Sequence, residues 1–216
     1  MDALIVCLII LLSVPAGCGS QSDTASLRPI TRPDSVYVAL VRQVLSAPQE
    51  CDYAELRMAY AKTSFYDPYN PKDTISMIMR RAVIQKKYSD ALENARKILT
   101  TNFLDARAHL ICSISYRALG DTVKSAFHDA VARGLIRSIY NSGDGKSFQT
   151  AFVVIAVPEE YTLLEVLGLR SGEQILIEHE GSSYDRLKAV DINTSDTLTV
   201  YFNVDIPIRW ADNRYR

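Results

Sequence analysis

The sequence predicts an α+β protein, with N-terminal tetratricopeptide-like helical hairpins followed by a small antiparallel β meander with one helix. Three observations carry this expectation. Tyr88-Ser89-Asp90-Ala91-Leu92 and Thr122-Val123-Lys124-Ser125-Ala126 lie 34 residues apart, each after one helix-length run and opening another. A period of that length, with small residues at the helix contacts, is the tetratricopeptide pattern. Beyond the glycine-rich stretch Asn141 to Ser147, the apolar spacing turns from helical to strand-like.

Taken in order, the chain opens on an apolar run, Ala3 to Val14, that ends in Pro15-Ala16-Gly17-Cys18. The run is shorter than the roughly twenty apolar residues of a membrane-spanning helix. It closes on small residues, as a secretory signal does. Ala16-Gly17-Cys18 resembles the lipobox of bacterial lipoproteins, in which the cysteine takes the lipid and becomes the mature N-terminus. Pro15 and Asp2 depart from that pattern. Residues 1–17 therefore read as a signal peptide, Cys18 as the lipidation site and 18–34 as a flexible tether rich in Ser, Thr, Gln and Pro. The expected location is the periplasm, with the lipid in the outer membrane and surface exposure left open.

Residues 35–140 read as the helical domain. Asp34 or Ser35 caps a first helix bearing Val36, Leu40, Val41 and Val44. Ala47-Pro48 ends it, and Asp52-Tyr53 opens a second helix through about Phe65. Ile75, Ile78, Met79, Ala82 and Val83 mark the next helix, and Ala91, Leu92, Ala95, Ile98 and Leu99 its partner. Leu110, Ile111, Ile114 and Tyr116 lie on another helix, which Gly120-Asp121 ends. The last runs from about Val123 to Arg133, with Ala126, Phe127, Ala130 and Val131 as its stripe and Gly134 as its end. Ala91, Ser113 and Ser125 sit where the hairpins need small side chains. Lys86-Lys87, His109 and Phe103 replace the usual Gly-Asp, Trp and Pro, so the pair is degenerate.

Phe65-Tyr66-Asp67-Pro68-Tyr69-Asn70-Pro71 interrupts the helices with aromatic residues between prolines. Phe65, Tyr66 and Tyr69 are the candidate partner-binding residues, because loops on a rigid scaffold carry function and tyrosine suits both a core and a contact. Gly145-Lys146-Ser147 has the ending of a phosphate loop, yet Tyr140 stands where the pattern demands glycine and no strand precedes it.

Residues 148–216 read as the α+β domain. Phe152 to Val157 is a short β-rich run. Pro158-Glu159-Glu160 opens a helix that Gly168 ends, with acids at its positive end. Gln174 to Glu178, Tyr184 to Ile192 and Thr197 to Ile206 are three further strands, joined at Gly181-Ser182-Ser183 and Asn193-Thr194-Ser195-Asp196. The last strand alternates poorly and is expected to be covered on both faces. Trp210 follows as a core plug.

Lys and Arg number 24 against 25 Asp and Glu, so no polyanionic partner is implied. The distribution is uneven: residues 74–107 carry seven basic and three acidic side chains, whereas 151–216 carry six and eleven. Either packing of one part on the other or solvated faces accounts for this. With Cys7 in the signal and Cys18 lipidated, Cys51 and Cys112 remain, expected as free thiols. No metal ligand set, cofactor motif or nucleophile elbow is present; His179 on a strand faces away from Glu178 and Glu180. No basic run supports nucleic-acid binding.

Four blocks in order resemble a known family. They are Asp52-Tyr53 with Leu56-Arg57, Tyr60 and Tyr66-Asp67-Pro68-Tyr69; then Gly143 to Ser147 with Thr150-Ala151-Phe152 and Val154-Ile155. Glu160-Tyr161 through Val166-Leu167-Gly168-Leu169 follows, and Tyr201 to Pro207 with Trp210 completes the set. Together they resemble an uncharacterised domain-of-unknown-function family of secreted or lipid-anchored proteins from Gram-negative anaerobes. That resemblance implies nothing about activity, since the family has no assigned catalytic residues to carry over. Three functions are therefore weighed: a lipid-anchored adaptor binding a protein partner in the envelope, an accessory or structural subunit of an envelope complex, and an envelope hydrolase. The first is expected, with no catalysis and no cofactor.

Overall fold

The computed structural model describes residues 31–69 and 73–215. The expected signal peptide, the lipidation site Cys18 and most of the expected tether lie outside these residues. The first helix, α1 (Arg32–Ser46), begins before the expected caps at Asp34 and Ser35. Thr31 is the cap instead: its side chain accepts the Asp34 N–H, and the Asp34 carboxylate accepts the Thr31 N–H at 2.8 Å. This reciprocal box uses a carboxylate in the first turn to satisfy the cap's own donor. Asp34 is buried and also accepts the Ser64 N–H at 2.8 Å, tying the later loop to α1.

Helix α2 (Tyr53–Tyr60) starts behind its Asp52 cap as expected but stops well before Phe65. Thr63 accounts for the early stop, because its hydroxyl takes the Tyr60 carbonyl at 2.7 Å. Helices α3 (Asp73–Ile84), α4 (Tyr88–Leu99), α5 (Ala106–Ala118) and α6 (Thr122–Tyr140) follow, each packed on the next. Met79, Leu92, Ala95, Ile98, Ala108, Ile111 and Cys112 form the core shared by α3, α4 and α5. Ala91 is fully buried, and the Ser125 hydroxyl donates to the Ser113 carbonyl at 2.9 Å. Larger side chains at this close crossing would drive α5 and α6 apart.

Two expectations about these helices are corrected. Gly134 does not end α6, which continues to Tyr140. A Cβ on Gly134 would lie 2.1 Å from the Tyr53 ring, so glycine serves the close approach of α2 rather than termination. The expected apolar stripes are also partly rotated: Ile78 and Ile114 are exposed, while His109 and His128 are buried.

The remaining elements are β1 (Phe152–Val153), α7 (Val157–Val166), β2 (Leu169–His179), β3 (Ser182–Asp191), β4 (Thr197–Asn203) and α8 (Asp205–Tyr215). The sheet has the order β1-β4-β3-β2. Strands β2, β3 and β4 form the expected antiparallel meander, but β1 lies parallel to β4. Helix α7 is the reason: it carries the chain from one edge of the sheet to the other, and such a crossover returns a strand in the same direction.

The single expected helix is joined by a second, α8, in place of the last residues expected in β4. Asp205 turns the chain there, its carboxylate accepting the Ser183 N–H at 2.7 Å. The observed β4 alternates after all: Val200 and Phe202 face the core, while Tyr201 meets Phe148 at 4.8 Å between ring centres.

Leu163, Leu164, Leu187, Phe152 and Phe202 pack with Ile139 of α6 in the core beneath the sheet. A further core joins Val44, Leu56, Tyr60, Tyr66 and Leu135 to Ile155, with Ile206 and Trp210 packed against it. Trp210 is partly buried there, as a plug. Neither Cys51 nor Cys112 is in a disulfide, and Cys112 is fully buried.

Candidate functional site

The loop after α2 is held at its centre and open at its sides. The Tyr66 ring is buried edge-on against Tyr60 and Trp210, and its hydroxyl donates to the Ile155 carbonyl. Burial raises the Tyr66 hydroxyl far above the ordinary tyrosine range, with the negative charge of Glu159 adding to it. Phe65 and Tyr69, by contrast, are 44% and 40% exposed. Of the three loop candidates, two therefore face solvent and one anchors the other two.

Beside this loop lies a groove of about 390 Å³. Phe65 and Pro68 line it from the loop, Met77 and Arg80 from α3, and Asn102, Leu104 and Arg107 from the α4–α5 connection and the start of α5. Pro158 and Glu159 close it from α7. Met77 is 64% exposed, so its flexible thioether and the Phe65 ring give the groove two apolar contacts available to a ligand.

The floor of this arrangement is fixed by an ion pair that spans the chain. Arg57 of α2 is 1% exposed and meets Glu159 with two bonds, Nε to Oε1 at 2.9 Å and Nη2 to Oε2 at 2.6 Å. Nη2 also donates to the Val153 carbonyl at 3.0 Å, and Glu159 Oε2 accepts the Ile155 N–H at 2.8 Å. The planar fork of arginine suits this bidentate geometry. The basic and acidic halves seen in the sequence meet here as well: Arg80 of α3 and Arg107 of α5 both pair with Glu165 of α7, at 3.4 and 3.1 Å.

A second carboxylate cluster went unseen in the sequence, where Glu160 read only as charge at a helix start. Glu160 is fully buried against Asp185 of β3. Gln174 bridges them, its Nε2 donating to Asp185 Oδ2 at 2.6 Å and to Glu160 Oε2 at 3.4 Å, while Tyr161 donates to Gln174 Oε1. Burial, reinforced by Asp185, pushes the Glu160 carboxyl up to about 9, so it is neutral at pH 7. Converging carboxylates are what hydrolysis would need, but these lie inside the fold and do not line the groove. The strand pairing of Leu176 with Asp185 could not be read from one sequence, and it is the pairing that assembles the cluster.

The glycine-rich stretch is closed on itself. The N–H groups of Asp144 and Gly145 both donate to the Thr150 carbonyl, at 2.9 and 2.8 Å, and the Lys146 N–H to Asp144 Oδ1 at 3.0 Å. A phosphate would find these donors occupied. His179 stacks on Phe148 at 4.2 Å between ring centres. No group of three or more His, Cys, Asp or Glu suited to a metal occurs among the described residues.

The other two histidines pair inside the α5–α6 hairpin. His109 Nε2 lies 2.8 Å from the Phe103 carbonyl, which can only accept, so that nitrogen carries the proton. Its Nδ1 then accepts from His128 Nδ1 at 2.9 Å. Burial and the neighbouring His128 push His109 down to about 3. The unfolded chain takes up that proton near pH 6.5 and the native chain only near 3, so stability falls as pH drops through this window. Unfolding free energies from urea titration at pH 7 and pH 5 are expected to differ by roughly 2 kcal/mol more in the native sequence than in His109→Phe, from about 1.4 kcal/mol per unit. Equal pH dependence in the two proteins would rule this out.

The match to known proteins follows the whole of this architecture. A model of a domain of unknown function, DUF4919, covers residues 31–212, from the cap of α1 into α8. The chain is a member of the DUF4919 family. No curated protein and no solved structure matches it. The DUF4919 domain thus contains the loop, the groove and the Arg57–Glu159 pair. No helix among its described residues is long and apolar enough to cross a membrane.

Proposed function

We propose that this DUF4919 protein is a lipid-anchored scaffold of the bacterial cell envelope that holds a partner polypeptide in its groove and performs no catalysis. The observation that carries this reading is the groove itself, preformed between the loop and the hairpins, with Phe65 and Met77 at its rim. A rigid site loses little freedom on binding, and a few large apolar side chains then supply most of the affinity. Helices α4 and α6 begin 34 residues apart, at Tyr88 and Thr122, which supports a degenerate tetratricopeptide-like pair. Stacked hairpins of that kind present extended binding surfaces. The apolar leader and Cys18 support placement in the periplasm on an outer-membrane lipid.

The test uses the full-length chain in intact envelopes, with a photoreactive amino acid in place of Met77. A discrete protein adduct is expected, reduced about tenfold or more by Phe65→Ala, the usual effect of truncating an anchor. No adduct, or one indifferent to Phe65→Ala, removes the groove from the proposal. Separately, Cys18→Ala is expected to move the protein from the membrane to the soluble periplasmic fraction. Retention on the membrane without Cys18 would remove the lipid anchor and leave the groove standing.

A further inference from the structure

We propose that β2 is a homodimerisation edge, on which a second copy of the chain pairs antiparallel about a two-fold axis through Leu176. Strand β2 is the end strand of the sheet, and no other strand among the described residues pairs with its outer side. It is also eleven residues long, with Leu176 54% and Ile175 37% exposed. Long apolar edges of this kind are normally shortened, charged or covered, since their free N–H and C=O groups template another strand.

The backbone register says which groups are free. Tyr201 donates to the Gly145 carbonyl and Asn203 accepts from Val154, both on the side of β4 away from β3. Hydrogen-bonding direction alternates along an antiparallel strand. Phe202 therefore bonds Asp185, and Tyr184 and Arg186 turn their groups towards Ile177 and Ile175. The N–H and C=O groups of Gln174, Leu176 and Glu178 are thus the ones that point outward.

Side chains choose the register and the occupant. A bulge between Ser171 and Gln174 breaks the pairing of β2 with β3, leaving the regular stretch from Gln174 to His179. With Leu176 on the axis, Leu176 meets its own copy, and Ile175 of each chain meets the partner's Ile177. Gln174 falls opposite the partner's Glu178, so no like charges face each other. Moving the axis by one residue to Ile175 sets Gln174 against Leu176, and one residue to His179's side sets Leu176 against Glu178. Only the Leu176 axis pairs the aliphatic residues with one another and keeps every charge opposite a compatible group, which is how cross-strand pairs select a register. Self-complementarity of this sort belongs to an isologous contact between identical chains.

The full-length chain with Cys51→Ser and Leu176→Cys, expressed in intact envelopes and oxidised, is expected to form a disulfide-linked homodimer. Ile192→Cys, 66% exposed beyond the end of β3, is expected not to. Adding Ile175→Lys with Ile177→Lys to Leu176→Cys places like charges across the interface and is expected to reduce the crosslink about tenfold. Ile175→Lys with Ile177→Glu places opposite charges there and is expected to retain it. Sedimentation of the unsubstituted chain in mild detergent is expected to show a concentration-dependent dimer. A monomer at all concentrations overturns the proposal, as does equal crosslinking at 176 and 192. Identical behaviour of the two charged pairs also overturns it, and so does a mixed disulfide at 176 with a different protein.

Discussion

Arg57→Ala is expected to destabilise the protein by about 3–5 kcal/mol, the range for removing one member of a buried ion pair. The loss comes less from the missing attraction than from what remains. Glu159 is left with 12% side-chain exposure and no cation, and the Val153 carbonyl loses its donor. For a chain of this length that corresponds to a fall in melting temperature of roughly 10 °C. Glu159→Gln is expected to be damaging too, because it strands the Arg57 charge. The double variant Arg57→Met with Glu159→Gln should recover more than half of the loss, since it removes both charges and keeps an acceptor for the Ile155 N–H. Thermal melts of the native protein, Arg57→Met, Glu159→Gln and the double variant read this as a double-mutant cycle. A single Arg57→Ala change of under about 1 kcal/mol would mean the pair does not hold the two parts together.

Glu160→Gln is expected to act in the opposite direction and to depend on pH. The native carboxyl holds its proton up to about pH 9, whereas the unfolded one releases it near 4.5. The stabilisation from Glu160 is therefore complete below about pH 4.5 and is lost progressively as pH rises towards 9. Glutamine is neutral at every pH, fits the same space and can donate to Asp185. At about 1.4 kcal/mol per unit, the variant should gain on the order of 5 kcal/mol over the native protein at pH 8, and almost nothing at pH 4. Denaturant unfolding at both values checks the difference. A variant that is less stable than the native protein at pH 8 would show that Glu160 is charged in the fold.

These two residues also mark where the sequence was legible and where it was not. The small residues Ala91, Ser113 and Ser125 announced the close crossings, because a fixed period repeats local geometry. Asp52 announced the start of α2, because a cap acts on its own turn. Gly134 misled, since what it accommodates is the Tyr53 ring from another helix. The role of Arg57 depends on Glu159, 102 residues away, and that of Glu160 on Asp185 across a helix–sheet contact. Neither partnership leaves a local signature, and Glu160 read only as charge at a helix start. Phe65 and Tyr69, singled out for their place between prolines, are exposed in the structure. That Tyr66 between them would be buried follows only from the positions of Ile155 and Trp210.

The chain has a single tryptophan, and Trp210 lies 6.2 Å from the Tyr66 ring and 6.0 Å from Tyr69. Its emission is consequently a native optical gauge of one corner, where α8 rests on the aromatic loop next to the groove. Detachment of α8 would change the colour of that light before the helical content of the molecule had altered. The protein therefore carries its own label at the place where an occupant of the groove would be felt.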